Sequence, residues 1–394
     1  MSTAMKMIFS ARSCEQSLQS SFYTGTVGLK LEGTIPRAFS PRKFILFSPI
    51  STKSKFKSGI SIRIEGVSSY LKSQGIQTVI VDKIRTPRKA DYTYLLVSTK
   101  KDSISYSAAR NIEDKSKVIV DLYTPLILEK ELTFSKYKPF DWVKKNSQKD
   151  NIKLILSKGS HFFVANKRQK EYWLTFSEQE SLNLTNRQIS VIPTGYSQKS
   201  IKPSPQKKIL WFGGIYPWMN PYPLIEAFKK ITDSDQEWKL KILGGFHPET
   251  GYQKIYKDVT SKLKTIPKNR LEILPWLPAK DLNKNLADVS FCVNLVKESK
   301  EDFYSHRVRL LTVLNAGIPI LTNGKDTISD LAVEKLAGEK VHARVNELYE
   351  KMSSLINNKR LVKKMRDNAL KVQNDFIKEN LSDKNFKSFV KKSA

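Results

Sequence analysis

Cysteine is almost absent from this chain. Cys14 and Cys292 are the only two in 394 residues, too few and too far apart for a disulfide framework or a metal knuckle. The four histidines (His161, His247, His306 and His342) are scattered, with no pair at helical spacing, so a zinc site is not expected. Long apolar runs are missing too. The stretch Lys208-Ile-Leu-Trp-Phe-Gly-Gly-Ile-Tyr216 is among the longest, well short of the ~20 residues that span a bilayer. No integral membrane segment is expected, and a reducing cytoplasm fits the cysteine count. Acidic residues are scarce beside basic ones: 38 against 68, for a net charge of +30. A field of that sign suits a polyanionic partner such as nucleic acid, an anionic membrane face or a phosphorylated ligand. The lysines are spread along the whole chain, however, and a basic solubilising surface is an equal reading. There is no helix-turn-helix, zinc finger or RNA-recognition aromatic signature. Nucleic-acid binding is therefore the weakest alternative.

Hydrophobic residues make up 40% and charged residues 27%, the balance of a soluble globular protein. The length favours two domains over one core. Residues 1–42 are rich in Ser, Thr and basic residues without hydrophobic periodicity, and are expected to be disordered; they lack the continuous apolar core of a secretory signal. Order is expected from Lys43-Phe-Ile-Leu-Phe-Ser-Pro49, a buried-strand pattern, followed by a helix over 60–73. Strand-like runs recur at Thr78-Val-Ile-Val-Asp82, Tyr92-Thr-Tyr-Leu-Leu-Val97, Lys117-Val-Ile-Val-Asp121 and Phe162-Phe-Val-Ala165. Alternation of short apolar strands with helical segments predicts a doubly wound parallel sheet over 43–196. The polar, proline-bearing stretch 197–207 reads as a linker. The pattern then restarts over 208–346, with Gly213-Gly214 and Gly244-Gly245 closing strands, and 347–394 reads as basic helices. In such sheets, ligands sit beyond the carboxyl ends of the strands.

The richest segment for chemistry is Glu301-Asp-Phe-Tyr-Ser-His-Arg-Val-Arg-Leu-Leu-Thr-Val-Leu-Asn-Ala-Gly-Ile-Pro-Ile320. Polar residues crowd the start of an apolar helix that stops at Gly317. A helix start carrying Ser305, Arg307 and Arg309 suits a diphosphate, through backbone N–H groups and guanidinium forks. The alternative is that both arginines pair with Glu298, Glu301 or Asp302.

This block resembles the donor-binding segment of bacterial family-four glycosyltransferases, in the subgroup that reads Glu-x-x-x-Ser-x-Arg-x-Arg-Leu-Leu before Ala-Gly-x-Pro. The similarity continues in collinear order. Leu210-Trp-Phe-Gly-Gly-Ile-Tyr-Pro-Trp218 with Leu224-Ile-Glu-Ala227 resembles the opening of that family's donor domain. Lys241-Ile-Leu-Gly-Gly-Phe-His-Pro248 and Thr322-Asn-Gly-Lys-Asp326 fall in the expected later places. Upstream, Val120-Asp-Leu-Tyr-Thr-Pro125, Arg168-Gln-Lys-Glu-Tyr-Trp173 and Val191-Ile-Pro-Thr-Gly195 are similar to the acceptor domain. The resemblance implies a GT-B fold, two facing Rossmann-like doubly wound domains with a cleft between them. It also implies sugar transfer from a nucleotide diphosphate-sugar to a glycan or lipid-linked acceptor, in surface polysaccharide or lipopolysaccharide synthesis.

Two departures from the family stand out. The Arg and Lys that many members carry after the first donor-domain strand are replaced here by Gly214 and Met219, so Arg307 and Arg309 must supply the charge. The glutamate that often holds the donor ribose falls at Thr312. On the resemblance, Gly213 and Gly214 approach the donor phosphates, and Gly59 and Arg63 join them from the first domain; the alternative for Arg63 is a surface arginine at an ordinary turn. Asp121 ends a strand at the carboxyl edge and is the candidate base, orienting group or turn cap. Glu301 either contacts the sugar or pairs with arginine. No cofactor is expected, and with no Asp-x-Asp motif in a suitable place no metal is either. Trp173 reads as core and His161 receives no role. Lys359, Arg360, Lys363, Lys364 and Arg366 form a basic helix cluster, either solvated or facing an anionic membrane at its inner surface. A nucleotide-sugar-binding protein without turnover is the principal alternative.

Overall fold

The computed structural model describes residues 43–48, 58–82, 92–115, 117–131, 139–194, 201–234, 237–245 and 253–392. The expectations for 1–42, for residues 197–200 of the linker, for Gly195 and for His247-Pro248 lie outside the described residues.

The first six strands are β1 (Lys43–Phe47), β2 (Gln77–Val81), β3 (Tyr92–Leu96), β4 (Val118–Asp121), β5 (His161–Val164) and β6 (Ile189–Val191). They form one parallel sheet in the order β2-β1-β3-β4-β5-β6. Every residue of β4 and β5 is buried. Helices cover both faces of the sheet, so these strands are apolar runs without alternation. The crossovers carry α1 (Gly59–Ser73), α2 (Ile104–Arg110), α3 (Leu126–Glu131), α4 (Pro139–Leu156) and α5 (Lys167–Gln179). Polar caps set where two of these helices begin: Ser58 exchanges capping bonds with Ser61 before α1, and the Asn166 side chain accepts from Gln169 N–H before α5.

The second lobe repeats the plan. Strands β7 (Lys208–Gly214), β8 (Lys239–Gly245), β9 (Leu271–Leu274), β10 (Phe291–Asn294), β11 (Ile320–Thr322) and β12 (Gly338–Lys340) pair in parallel in the order β12-β11-β10-β7-β8-β9. Helices α6 (Tyr222–Ser234), α7 (Gln253–Leu263), α8 (Ala279–Ala287), α9 (Lys300–Tyr304), α10 (Val308–Asn315) and α11 (Thr327–Glu334) connect them. Trp211, Phe228 and Phe291 anchor the core on one face, and Leu210, Leu310, Leu314 and Ile328 fill the other. The strand order reverses between β7 and β10, which leaves a crevice beyond their carboxyl ends.

The last three helices, α12 (Val345–Asn357), α13 (Lys359–Asn380) and α14 (Lys384–Lys392), carry the chain back to the first lobe. α12 packs on α6, α13 runs along α10, and α14 lies against β6. Ser382 and Val191 exchange backbone hydrogen bonds at 3.0 Å, the Tyr70 hydroxyl donates to Asp383, and Phe386 is buried against Phe44, Tyr70 and Phe163. His161, assigned no role from the sequence, belongs to this seam: its ring stacks on Phe389 at 5.0 Å and shares a hydrogen bond with Ser190. Burial, then Lys170, lowers its pKa to about 3, so it stays neutral. Of the basic cluster, Lys359, Arg360, Lys363 and Lys364 are exposed. Arg366 is not part of that face; it turns inward to the carbonyls of Gly317 (3.2 Å) and Ser290 (3.4 Å). Helical phase explains this, because Arg366 follows buried Met365 on the side of α13 that meets the second lobe. No helix among the described residues is long and apolar enough to cross a membrane.

Candidate functional site

β7 and β8 end side by side in glycine pairs, with Gly213 opposite Gly244 and Gly214 opposite Gly245. Gly213 and Gly244 have φ of +92° and +111°, a backbone region that side chains disfavour. A Cβ on Gly244 would also lie 3.0 Å from the Gly213 carbonyl oxygen. Beyond β7 the chain folds onto the end of β10. Tyr216 stacks on Trp218 at 4.9 Å, buried Met219 bridges to Val296, and Asn220 N–H donates to the Leu295 carbonyl.

Arg309 occupies this crevice. Its side chain runs past Gly213, where a Cβ would come within 3.2 Å of the Arg309 Cδ. Its Nη2 donates to Asn294 Oδ1 at 2.8 Å and to the Met219 sulfur. The residue is half-buried, its Nε is shielded from solvent without a hydrogen-bond partner, and no carboxylate among the described residues pairs with it. Burial, then the like charge of Arg307, lowers its pKa to about 10. A cation partly withdrawn from water and paired with no carboxylate among the described residues carries a standing cost, which an anionic ligand would relieve. Asn294 was not foreseen as part of the site; an asparagine ending an otherwise apolar strand was the signal in the sequence.

Arg307 is different. Its Nη2 donates to Glu301 at 2.7 Å and to Asp302 at 3.3 Å, all three largely buried. Burial pulls its pKa down, but Glu301 and then Asp302 outweigh that and raise it. Of the two readings open for the arginines, the carboxylate pair therefore holds for Arg307 and not for Arg309. Ser305, also buried, caps α9 by donating to the Asp302 carbonyl. Thr312 is half-buried, with its hydroxyl 3.4 Å from the Val308 carbonyl.

Beside this cage, buried Asp326 caps α11, accepting from the N–H groups of Ile328 and Ser329 and from the Ser329 hydroxyl. Burial, then Asp302, raises its pKa from 3.8 to about 6, with Arg307 opposing. An acid whose pKa is raised on folding binds its proton more tightly in the folded state. Its contribution to stability is thus present at low pH and lost as pH rises to about 6. Asp326→Asn keeps a capping acceptor and removes the charge. The variant should melt with the wild type near pH ~4 and above it beyond pH ~6. A difference in melting temperature that stays constant across that range would contradict the buried charge.

In the first lobe, Arg63 and Asp121 form a pair of their own. Arg63 Nε donates to Asp121 Oδ2 at 2.9 Å, and the Tyr94 hydroxyl donates to the same oxygen at 2.6 Å. Arg63 Nη1 reaches the Ile192 carbonyl and, at 3.3 Å, Thr194. Arg63 is 1% exposed and Asp121 0%, so Arg63 is not the surface arginine of the alternative reading. Burial raises the Asp121 pKa, partly offset by Arg63. Arg63 extends inward from the second turn of α1 and meets the carboxyl end of β4. Gly59 opens α1 with nothing near its missing Cβ, so its position does not demand glycine. Trp173 is core, with its indole N–H donating to the Leu122 carbonyl. Among the described residues, no group of three His, Cys, Asp or Glu side chains is placed to hold a metal ion.

No protein-family model and no curated protein matches the sequence. Solved structures match in shape. The Anabaena protein HepE in complex with UDP-glucose superposes with a TM-score of 0.59 at 13% identity, covering 89% of this chain and 98% of that one. Sucrose-phosphate synthase from Thermosynechococcus elongatus gives 0.58 at 9% identity, covering 88% and 97%. A Listeria monocytogenes protein assigned as a UDP-N-acetylglucosamine 2-epimerase gives 0.51 at 13%, covering 85% and 94%. With its two parallel six-stranded sheets, the chain has the GT-B fold of two facing Rossmann-like domains. At these identities the likeness carries the architecture alone, which a synthase and an assigned epimerase share.

Proposed function

We propose that the chain is a glycosyltransferase that binds a nucleotide diphosphate-sugar in the crevice of the second lobe and passes the sugar to a glycan or lipid-linked acceptor. The observation that carries this reading is Arg309, a cation without a carboxylate partner among the described residues, at the point where the strand order of a Rossmann sheet reverses. It stands beyond β7, where the family resemblance expects the diphosphate-gripping charge and the chain has Gly214 and Met219. The fold supports the donor class, since UDP-glucose is bound in the HepE complex of the same architecture. When the sugar leaves, negative charge builds on the nucleoside diphosphate. Arg309 and the backbone amides beyond β7 would stabilise it as fixed, pre-oriented dipoles and charge. Neutralised by Glu301 and Asp302, Arg307 contributes shape and hydrogen bonding to the α9–α10 junction rather than net charge. The exposed Lys359, Arg360, Lys363 and Lys364 favour work at an anionic membrane face.

A thermal-shift panel of nucleotides and nucleotide sugars tests the donor site. At a hundredfold excess over Kd, one nucleoside diphosphate and its sugar conjugate should add about 2.7 kcal/mol of stability. A folded sample that responds to no member of the panel would overturn the reading. Thr312, in the place of the ribose glutamate, favours a second reading in which the sugar nucleotide is bound but not turned over. Release of nucleoside diphosphate only when acceptor is added separates transfer from both that reading and epimerisation.

A further inference from the structure

Arg168 is singled out by the sequence pattern but has no part in the site described so far. It lies in the first turn of α5, whose start is fixed on the first lobe: the Gln169 amide donates to the Tyr123 carbonyl, and its oxygen accepts from Ala165 N–H. From there the Arg168 guanidinium crosses to the second lobe. Nη1 donates to the Lys325 carbonyl at 2.6 Å and lies 3.4 Å from the Phe303 carbonyl, and Nη2 donates to Asp330 at 2.6 Å. The guanidinium also covers the Phe303 ring, 4.4 Å from its centroid. Asn166, the cap of the same helix, donates to Thr327, and Tyr172 meets Tyr304 at 5.2 Å. The contact continues into the second lobe: Lys325, whose carbonyl accepts from Arg168, donates its N–H to Asp302 at 2.7 Å, and Asp302 holds Arg307.

We propose that Arg168 is a positioning residue, a clasp that holds the two lobes closed and fixes, through the backbone of Lys325, the carboxylate cage around Arg307. The fork, the ring beneath it and the two backbone bonds of Lys325 together make the arrangement more than a surface ion pair, which alone would contribute little. The clasp stands without the donor-site proposal; its effect on ligand binding rests on that reading.

The test uses the full chain with Cys14→Ser, buried Cys292 left in place, and spin labels on Arg110→Cys and Asn283→Cys, exposed positions on opposite lobes. Distances between the labels are measured without nucleotide. Arg168→Ala should lengthen and broaden the distribution, lowering the closed-to-open ratio by about tenfold; Arg168→Lys, which keeps the charge but not the fork, should fall between. Asp330→Asn leaves Arg168 in place and should give a smaller change in the same direction, guarding against a variant that fails to fold. Unchanged distances in Arg168→Ala overturn the clasp. The second readout is affinity for the nucleoside diphosphate found to bind the wild type, expected to weaken about tenfold in Arg168→Ala. Longer distances with unaltered affinity overturn the link to the cage. A wild type that binds no nucleotide overturns the donor reading and that link with it, while the distances still decide the clasp.

Discussion

Arg309→Met is expected to lose nucleotide binding without losing stability. Methionine approximates the length of the arginine stem and can lie against Gly213, Met219 and Asn294 without bringing a charge. Each hydrogen bond from a guanidinium to a phosphate is worth about 1.5–3 kcal/mol. The variant should therefore bind nucleoside diphosphate some ~10–150-fold more weakly. Its melting temperature without ligand should equal or exceed that of the wild type, because a half-buried cation with no carboxylate partner among the described residues costs free energy. The two signs together are diagnostic. An arginine placed for structure would give the reverse pattern, lower stability and intact binding, and that result would end its claim to the donor site. Arg309→Lys should be intermediate, since an ammonium restores the charge but not the planar fork.

The contrast between Arg307 and Arg309 also marks where sequence reasoning stops. Both arginines were visible, two residues apart at a helix start. Positions i and i+2 point in different directions on a helix, and only the set of α10 on its sheet decides which one meets Glu301 and Asp302. The strands were legible because β4, β5, β7 and β10 are buried on both faces and read as apolar runs. The crevice was legible for a related reason: Gly213, Gly214, Gly244 and Gly245 stop their strands at the same edge. Partners far apart in sequence were not. Arg63 finds Asp121 because a crossover brings α1 to β4, and Arg168 finds Asp330 because the two lobes meet there; nothing in the local pattern of either arginine announces it. The return of α14 to the first lobe was hidden likewise, since Phe386 and Phe389 mark an apolar helix face without naming the sheet that receives it.

Breaking the Arg63–Asp121 pair should be the most destabilising change considered. Asp121→Ala leaves a guanidinium of 1% exposure without its counter-charge and removes the acceptor of Tyr94; losses of this kind run to about 3–5 kcal/mol. Arg63→Met should cost less, and its cost should depend on pH. Without Arg63 the burial that already raises the Asp121 pKa is opposed only by the hydrogen bonds from Tyr94 and the Tyr123 backbone, so the carboxyl can take a proton and stay neutral in place. A group whose pKa is raised on folding stabilises the folded state as pH falls through that pKa. Arg63→Met should accordingly recover part of its loss on acidification, whereas Asp121→Ala should not. The double variant Arg63→Met/Asp121→Leu should be more stable than Asp121→Ala alone, because an apolar pair can replace a buried ion pair at little cost. Chemical denaturation of the four proteins at two pH values provides the measurement. Asp121→Asn then distinguishes support from chemistry. If it unfolds early and loses turnover only in proportion to its folded fraction, the carboxylate acts by holding Arg63. If it is as stable as the wild type yet inert with donor and acceptor, Asp121 must reach the cleft during turnover and act as the base.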